Sequence, residues 1–154
     1  MSKILLTSTN NEISAQIASL LNLGGQLFFN QTRWSVIGNS TTYIVEMYYD
    51  QVVGVIGLDI CTPQVTEMKH LCVHPDHRCK GLGLKLLKKG IKCSTTPFVY
   101  GAVRSDNDVN IRNNFRIGLK PVAKHRGRGC SIIIFAGRRE NIDHGLHARQ
   151  AQGH

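Results

Sequence analysis

A short glycine-containing segment, Arg78-Cys79-Lys80-Gly81-Leu82-Gly83, has the residue types that bind a phosphate chain. It follows an apolar run, residues 71–73, that stops at Pro75, and it leads into a helical pattern that carries lysines. In this order, backbone N–H groups and the positive end of a helix dipole face an anion, and glycine lets the backbone approach it closely. Arg78 and Lys80 add positive charge. The pattern therefore predicts a site for a phosphorylated ligand.

Two common nucleotide-binding motifs do not fit this segment. A Walker A loop reads GxxxxGK[ST], whereas Gly81 and Gly83 are separated by a single residue and no Lys-Ser or Lys-Thr pair follows. A dinucleotide-binding fingerprint reads GxGxxG, and this chain has Leu86 where the third glycine would stand. The phosphorylated ligand is therefore not predicted to be bound in either of these ways.

The residues around the turn stand at a spacing that is more specific than an isolated Gly-x-Gly. They are Glu67, Met68, Leu71, Val73, Pro75, His77, Arg78, Gly81, Gly83, Leu86 and Leu87. This set resembles the acetyl-coenzyme A binding motif of the GNAT (general N-acetyltransferase) superfamily, roughly E-[IM]-x-x-L-x-V-x-P-x-[YH]-R-x-x-G-x-G-x-x-L-L. The resemblance extends over about residues 42–136, whereas residues 1–40 fit only in the order of their elements.

The resemblance implies acetyl-coenzyme A as the co-substrate. Its pyrophosphate is expected on the backbone N–H groups of Arg78, Cys79, Lys80, Gly81, Leu82 and Gly83, where the helix dipole adds to the side-chain charge. Its pantetheine arm is expected to pair like a strand with Leu71, Cys72 and Val73, where two strands separate, and to contact Asn107. No metal is predicted, because His70, His74 and His77 have no Cys, Asp or Glu nearby in ligand spacing.

Acyl transfer to an amine requires a general base, because a free lysine amine has a pKa of about 10.4 and must lose a proton. The resemblance implies Glu67, which lies eleven residues before Arg78, the spacing at which many GNAT enzymes place a strand glutamate. The alternatives are that Glu67 only pairs with a cation such as Lys69, and that His70 is the base. A backbone N–H near Cys72 is the candidate donor to the oxyanion.

Strand periodicity predicts which of these side chains share a face of the sheet. In a regular strand alternate residues point to the same side. We therefore expect one face to carry Glu67, Lys69, Leu71 and Val73, and the opposite face to carry Met68, His70 and Cys72.

The chain departs from the family at the residue that protonates the leaving thiolate, usually a tyrosine in the next helix. The pattern N-x-x-A-x-x-x-Y, laid from Asn107, places Asn110 at the alanine and Asn114 at the tyrosine. Asparagine cannot deliver a proton as tyrosine does, but it can hydrogen-bond the sulfur or hold a water. Asn114 is thus the second candidate catalytic residue, and it leaves open a degenerate domain that binds coenzyme A without turnover.

Hydrophobic periodicity predicts the element order β-α-β-β-β-α-β-α-β-β, of class α/β or α+β. The resemblance implies a GNAT-like mixed, mostly antiparallel central sheet of about seven strands flanked by helices. The predicted strands are 3–7, 42–49, 52–58, 64–73, 98–103, 119–125 and 130–136. Three helices are predicted: one that begins after residue 12, one at 83–93 and one at 107–117. Residues 1–136 are expected to form a single domain, and 137–154 a polar, flexible tail.

The net charge of +9 is unevenly distributed, with −2 on residues 1–66 and +11 on residues 67–154. The C-terminal half is therefore predicted to meet anions, of which a phosphorylated cofactor explains part and nucleic acid would explain more. The candidate nucleic-acid surface is formed by Arg104, Arg112, Arg116, Lys120, Lys124, Arg126 and Arg128, although only Phe115 is available there for stacking.

The sequence also bears on cellular location. No apolar run approaches the 18 or so residues of a membrane span, and no secretory signal is recognisable at the N-terminus. The five cysteines are odd in number and scattered, which favours reduced thiols. The expected location is cytoplasmic, as a monomer or homodimer.

The sequence thus predicts an acetyl-coenzyme A-dependent N-acetyltransferase that acts by direct attack of an amine on the thioester. The acceptor is open between a protein amine, a small polyamine or aminoglycoside, and a nucleobase. Acidic residues of the first half, Glu46, Asp50 and Asp59, are candidates for attracting a cationic acceptor. The alternatives are a nucleic-acid-modifying acyltransferase and the degenerate binding domain.

Overall fold

The computed structural model describes residues 2–4, 11–25, 27 and 29–142. In chain order its elements are β1 (Ser2–Ile4), α1 (Asn11–Gly24), α2 (Arg33–Ile37), β2 (Thr42–Tyr48), β3 (Gln51–Thr62), β4 (Val65–Val73), α3 (Leu82–Cys93), β5 (Phe98–Arg104), α4 (Asp108–Arg116), β6 (Lys120–Arg126) and β7 (Ser131–Arg138). The predicted fold class and order are confirmed, and the structure adds the short helix α2 between α1 and β2. Thr32 begins α2 in a capping box with Ser35.

The described strands form one seven-stranded sheet in the order β1-β2-β3-β4-β5-β7-β6. Neighbouring strands are antiparallel except β4 and β5, which are parallel. Two parallel strands need a crossover connection, and α3 supplies it. A single turn of 3-10 helix, Pro75–His77, and the glycine segment link β4 to α3.

Helices cover both faces of the sheet. On one face α3 packs on a core that includes Ile44, Ile56, Met68, Leu86 and Phe135. On the other face α1 packs on a core that includes Ile17, Leu21, Tyr43, Val45 and Val55. The alternation along β2, with Ile44 on the α3 side and its neighbours on the α1 side, is that of a strand buried on both faces.

The parallel pair β4–β5 is short, and this opens the sheet. The strands are in register from Val65 opposite Phe98 to Met68 opposite Gly101, and the described residues form no further pairs between them. From Lys69 onward β4 therefore continues along β3 alone, and a cleft separates it from β5.

A β-bulge in β4 coincides with the start of this cleft. Between the pairs Gly57–Lys69 and Val55–Cys72, β4 has one residue more than β3. His70 takes up the extra residue with a φ of +57°, a left-handed conformation that is uncommon outside glycine. A bulge of this kind bends its strand and increases the local twist, which here directs β4 away from β5.

The predicted alternation of side chains along β4 is wrong because of this bulge. Leu71 and Val73 pack against the α3-side core together with Met68, whereas Cys72 packs on the α1 side. Glu67 lies opposite Asp59, and Lys69 forms an ion pair with Asp59 at 3.3 Å, so both occupy the α1 face. Glu67 and Leu71 were expected on one face and lie on opposite faces.

The folded part of the chain extends beyond the predicted domain boundary at residue 136. Strand β7 runs to Arg138, and Ile142 is buried in the α3-side core with 1% of its surface exposed. The expected tail therefore begins later than Gly137, and residues 143–154 lie outside the described residues, as do residues 5–7 of the first predicted strand. Among the helices that the structure describes, none combines the length and apolarity needed to cross a membrane.

Candidate functional site

The glycine segment forms an open loop at the start of α3. Cys79 and Gly81 both have left-handed backbone conformations, with φ of +63° and +77°. Gly81 is the N-cap, and no side chain of the described residues caps the helix there, so the first-turn N–H groups remain available. A Cβ added to Gly81 would meet no atom within 4 Å, so the space in front of the loop is open. An uncapped helix start with open space in front of it leaves room for an anion, and the binding of a phosphate there stays a prediction.

The Arg78 side chain connects this loop to the end of β4. Its Nε donates a hydrogen bond to the carbonyl oxygen of Val73 at 3.1 Å. This bond holds the Nε beside the last residue of the strand, although Arg78 as a residue is exposed. Gly83, in the first turn of α3, faces Asn113 of α4, whose Nδ2 would lie 3.5 Å from an added Cβ.

A cavity of about 130 Å³ occupies the cleft between β4 and β5. Strand β4 contributes residues 68–72 to its lining and β5 contributes residues 101–104. Helix α1 contributes Leu21 and Gly24 on one side, while α4 contributes its asparagines on the other. The cavity thus extends from the α4 side of the sheet to the α1 side through the opening that the bulge creates.

Three asparagines of α4, at positions 107, 110 and 114, line this cavity. Asn107 caps the helix, with its Oδ1 accepting from the N–H of Asn110 at 3.1 Å. Asn114 is 2% exposed, and its Nδ2 donates to the backbone oxygen and to Oδ1 of Asn110 at 2.8 and 3.0 Å. Within the described chain its Oδ1 accepts no hydrogen bond. Asn114 therefore offers a hydrogen-bond acceptor to the cavity, but its side chain is not an acid that can transfer a proton to a thiolate.

Glu67 is not among the residues that line the cavity. It lies in register with Asp59 on one side and Tyr100 on the other, on the α1 face and next to the cavity residue Met68. Burial, with smaller contributions from a Cys61 hydrogen bond and the Glu67 carboxylate, raises the pKa of the Tyr100 hydroxyl. Glu67 therefore stands beside the cavity, at the end where β4 and β5 still pair.

Within the part of the chain that the structure describes, potential metal ligands come together at Glu67 and its neighbours, and not at His70, His74 and His77. Ligand atoms of Asp59, Cys61 and Glu67 all lie within 4.8 Å of one another. Asp59 already pairs with Lys69 and accepts from the Ser40 hydroxyl at 3.2 Å, which leaves it a poor ligand. The absence of a metal stays a prediction from the sequence.

His70 lines the cavity and is held by two side chains. Its Nδ1 lies 2.9 Å from the hydroxyl of Tyr43, which also accepts from Nδ2 of Asn39 at 3.2 Å. Burial, aided by the charge of Lys69, lowers the pKa of His70 from 6.5 to about 4. The imidazole is therefore neutral at pH 7.

Cys72 also lines the cavity, and its thiol points towards α1. The Sγ donates to the backbone oxygen of Leu20 at 3.4 Å, and a Cβ on Gly24 would lie 2.7 Å from that sulfur. Burial raises the pKa of Cys72, an effect that Arg78 opposes. The thiol is therefore protonated at neutral pH and is a weak nucleophile.

The three acidic residues considered for attracting an acceptor lie in different places. Glu46 forms an ion pair with Lys85 of α3 at 3.0 Å, on the face opposite α1. Asp50 is exposed in the β2–β3 turn, where its carbonyl oxygen accepts from Gln16. Only Asp59 lies beside Glu67, so the acidic character of the α1 face at the cleft comes from these two residues.

The structure thus brings together Leu71, Cys72, Asn107 and Asn114 around one cavity and joins the loop to it through Arg78. Glu67 lies beside this cavity and does not line it. Sequence reasoning kept His70 only as an alternative base, because a histidine in a strand is more often a satisfied core or surface residue. The sequence did contain one sign of the bulge. The motif E-[IM]-x-x-L leaves positions 69 and 70 unspecified, and the bulge lies at these positions.

Comparisons with known proteins are consistent with the fold and with the geometry of the cleft described above. The family model described as Acetyltransferase (GNAT) family matches residues 15–112. No curated protein matches the chain.

Three solved structures illustrate the shared fold, and each covers 90% of this chain. The putative acetyltransferase yncA from Salmonella typhimurium, with its cofactor acetyl-CoA, is 17% identical, with a TM-score of 0.71 and 95% of its own chain covered. The ribosomal-protein-alanine N-acetyltransferase from Brucella melitensis is 14% identical, with a TM-score of 0.69 and 99% of its chain covered. The aminoglycoside 6'-N-acetyltransferase from Enterococcus faecium is 16% identical, with a TM-score of 0.70 and 97% covered.

Proposed function

The chain belongs to the acetyltransferase (GNAT) family, and on that premise we propose that it transfers the acetyl group of acetyl-coenzyme A to an amine by direct attack on the thioester. The observation that carries the proposal is the continuity of two features: a cleft where β4 and β5 separate, and an uncapped glycine loop at the adjoining helix end. A long ligand with a phosphate group at one end and amide groups along its arm fits that combination.

The loop receives the pyrophosphate and the cleft receives the arm. Backbone N–H groups of residues 78–83 bind the phosphate oxygens, with Arg78 and Lys80 adding charge. Beyond Met68 the edge of β4 is unpaired with β5 over the described residues, so an extended amide chain can add to it as a strand would. Asn107, at the start of α4, contacts the arm, and its Nδ2 remains as a donor because Oδ1 caps the helix.

The acceptor approaches from the opposite face. Since the glycine loop and α4 hold the cofactor on the α3 side, the free entrance to the thioester is on the α1 face, where Asp59 and Glu67 lie. Two carboxylates favour a cationic amine there by direct charge attraction. Glu67 then accepts the amine proton through a water, since it stands beside the cavity without lining it.

The reaction forms a C–N bond and breaks the C–S bond. The neutral amine attacks the carbonyl carbon, the oxyanion is stabilised by a backbone N–H near Cys72, and coenzyme A leaves as a thiolate that takes a proton from water. Asn114 offers Oδ1 to the resulting thiol. An acyl-cysteine intermediate on Cys72 is disfavoured, because burial raises its pKa and its sulfur is bonded to Leu20.

The test is release of coenzyme A, measured with a thiol reagent across a panel of protein N-termini, lysine peptides, polyamines and aminoglycosides. We expect turnover with at least one amine and a fall of about 100-fold or more for Glu67→Gln, which removes the base. A thermal shift with acetyl-coenzyme A is measured in parallel. A shift without turnover on any amine would leave a binding domain, and no shift at all would refute the cofactor itself.

A second candidate function is modification of nucleic acid, favoured by the exposure of β6. All seven of its residues are exposed, Lys120, Lys124 and Arg126 among them, and Arg128 follows in the turn. No acidic residue occurs between Asp108 and Glu140. Retention of RNA that weakens steeply with salt, and is lost on Lys124→Glu with Arg126→Glu, would support this function. Cytoplasmic location and a monomeric or homodimeric state stay predictions from the sequence.

A further inference from the structure

Asn39, Tyr43 and His70 form a chain of side chains that ends in the cavity. Asn39 precedes β2, Tyr43 lies in β2, and His70 is the bulge residue of β4. The imidazole stacks on the Tyr43 ring, with centroids 5.9 Å apart and planes 18° apart. Tyr43 is fully buried. A polar chain of this length across two strands, at a left-handed backbone position, is more than packing of the core requires.

The direction of the hydrogen bonds follows from Asn39. Its Oδ1 accepts from the N–H of Thr41 at 3.1 Å, so its Nδ2 is the atom that donates to the Tyr43 oxygen. A Tyr43 hydroxyl whose oxygen accepts from Asn39 can direct its own proton to His70 Nδ1, 2.9 Å away. A neutral imidazole that accepts at Nδ1 carries its proton on Nε2.

The surroundings keep this imidazole neutral. The groups that face it are the Tyr43 hydroxyl from β2 and the Lys69 ammonium from its own strand, and neither favours a positive charge on the ring. The other cation in the cavity lining is Arg104, whose guanidinium forms a bidentate pair with Asp106. No carboxylate lines the part of the cavity that the structure describes.

We propose that His70 is a catalytic residue that donates a hydrogen bond from Nε2 to the carbonyl oxygen of the thioester, and that Tyr43 is the positioning residue that fixes this tautomer. The inference rests on the proposed function. As the amine attacks, negative charge develops on that oxygen, and a donor that is already fixed in place stabilises it. The proton remains on Nε2 throughout, so His70 neither gains nor loses charge. This role differs from that of a base, which His70 with its low pKa would perform poorly.

A matched pair of variants separates the donor role from that of a base. His70→Ala removes the donor, whereas His70→Gln keeps an amide N–H near the position of Nε2, and both carry the same backbone constraint at φ +57°. Loss of one oxyanion donor lowers kcat by about 100- to 1,000-fold. We expect a loss of this order for His70→Ala with the KM for acetyl-coenzyme A nearly unchanged, and activity of His70→Gln within about 10-fold of the parent.

Two results of this pair would overturn the proposal. Equal loss in both variants would indicate proton transfer by the imidazole, and full activity of His70→Ala would indicate a structural residue. Tyr43→Phe is expected to lower kcat and leave the KM in place, because it frees the tautomer without removing the ring. A rise in KM alone would contradict the positioning role of Tyr43.

A spectroscopic measurement tests the tautomer independently of turnover. In protein labelled with nitrogen-15 histidine, we expect Nδ1 of His70 without a proton and Nε2 with one, in the absence of ligand. Acetyl-coenzyme A should shift the Nε2 signal, and coenzyme A, which lacks the carbonyl, should not. The opposite tautomer, or equal shifts with both ligands, would refute the role of His70 even if the parent protein acetylates amines. If acetyl-coenzyme A does not bind at all, the proposed function fails together with this inference.

Discussion

The Nε of Arg78 donates to the carbonyl oxygen of Val73 at 3.1 Å, so the glycine loop is attached by a side chain to the end of β4, the strand along which the pantetheine arm is proposed to lie. Arg78, Cys79 and Lys80 are all exposed, but among the described residues only Arg78 of these three makes a side-chain hydrogen bond to β4. The two halves of the proposed cofactor site therefore keep their relative position through one residue, which also carries part of the charge for the phosphates.

Arg78→Lys should raise the KM for acetyl-coenzyme A by about 10-fold or more, since lysine keeps the charge but cannot reproduce the guanidinium geometry. Lys80→Arg is the matched control at a position without a strand contact, and it should have little effect. Steady-state kinetics with varied acetyl-coenzyme A measures both. Equal behaviour of the two variants would mean that the loop recognises charge alone.

Gly83→Ala should stabilise the fold and weaken the cofactor site together. Position 83 is helical, so alanine gains up to about 1 kcal/mol in the free energy of unfolding, and the nearest atom to its Cβ, Asn113 Nδ2, is 3.5 Å away. The same methyl group would fill the gap between α3, Asn113 and the end of β4, which adjoins the proposed phosphate site, and should therefore raise the KM for acetyl-coenzyme A. Gly81→Ala is the contrasting variant, destabilised by its φ of +77°. A higher Tm for Gly83→Ala with unchanged KM would place the phosphate elsewhere.

Glu67→Gln should lower kcat by about 100- to 10,000-fold without changing the thermal shift caused by acetyl-coenzyme A, because it removes a base and no cofactor contact. Asp59→Asn is the matched control on the neighbouring strand. It removes the ion pair with Lys69 and an attraction for the acceptor, so the KM for the amine should rise while kcat is largely kept. Equal loss of kcat in both would point to a shared carboxylate pair.

Asn114→Ala should lower kcat by only about 10-fold, because a thiolate leaves without a full proton transfer and Asn114 contributes one acceptor. It also loses the bonds from Nδ2 to Asn110, so a fall in unfolding free energy of about 1 kcal/mol is expected. Single-turnover kinetics separates the chemical step from stability. A complete loss of turnover at unchanged cofactor affinity would show that Asn114 has a larger part in departure of the thiol.

Stability should fall as the pH is lowered from about 6.5 to about 4. The pKa of His70 is lowered to about 4 in the folded chain from 6.5, so over this window the unfolded state takes up a proton that the folded state does not. Stability from this group is present above pH 6.5 and is lost as the pH falls. His70→Gln should flatten that part of the Tm–pH profile, and an unchanged profile would contradict the neutral imidazole.

The motif around the glycine turn was sufficient to predict the fold and the position of the loop, because its glycines and its arginine act through backbone geometry that is local in sequence. The same local character explains why the sequence could place Asn107 and Asn114 on one helix, while their roles in the reaction stay predictions. In each case a few consecutive residues and their own hydrogen bonds determine the outcome.

The position of Glu67 relative to the cavity depends on non-local pairing and was beyond sequence reasoning. Alternation along β4 holds only if every residue has a partner on β3, and one unpaired residue at His70 reverses the faces after it. The partner of that residue, Tyr43, is 27 positions earlier in the chain. No periodicity in the strand itself could indicate either fact.

The bulge at His70 makes the site sensitive to a change in the number of residues in β4, and not only to changes of residue type. Deleting one residue between Lys69 and Leu71 would let β4 follow β3 without interruption, and β4 could then continue to pair with β5 beyond Gly101. Leu71 and Val73 would stay on the α3 side, opposite their present neighbours on β3, while new hydrogen bonds between β4 and β5 would close the opening that the proposed cofactor site needs. The opening therefore depends on the number of residues in β4, and a single-codon deletion there would be more damaging than many changes of side chain.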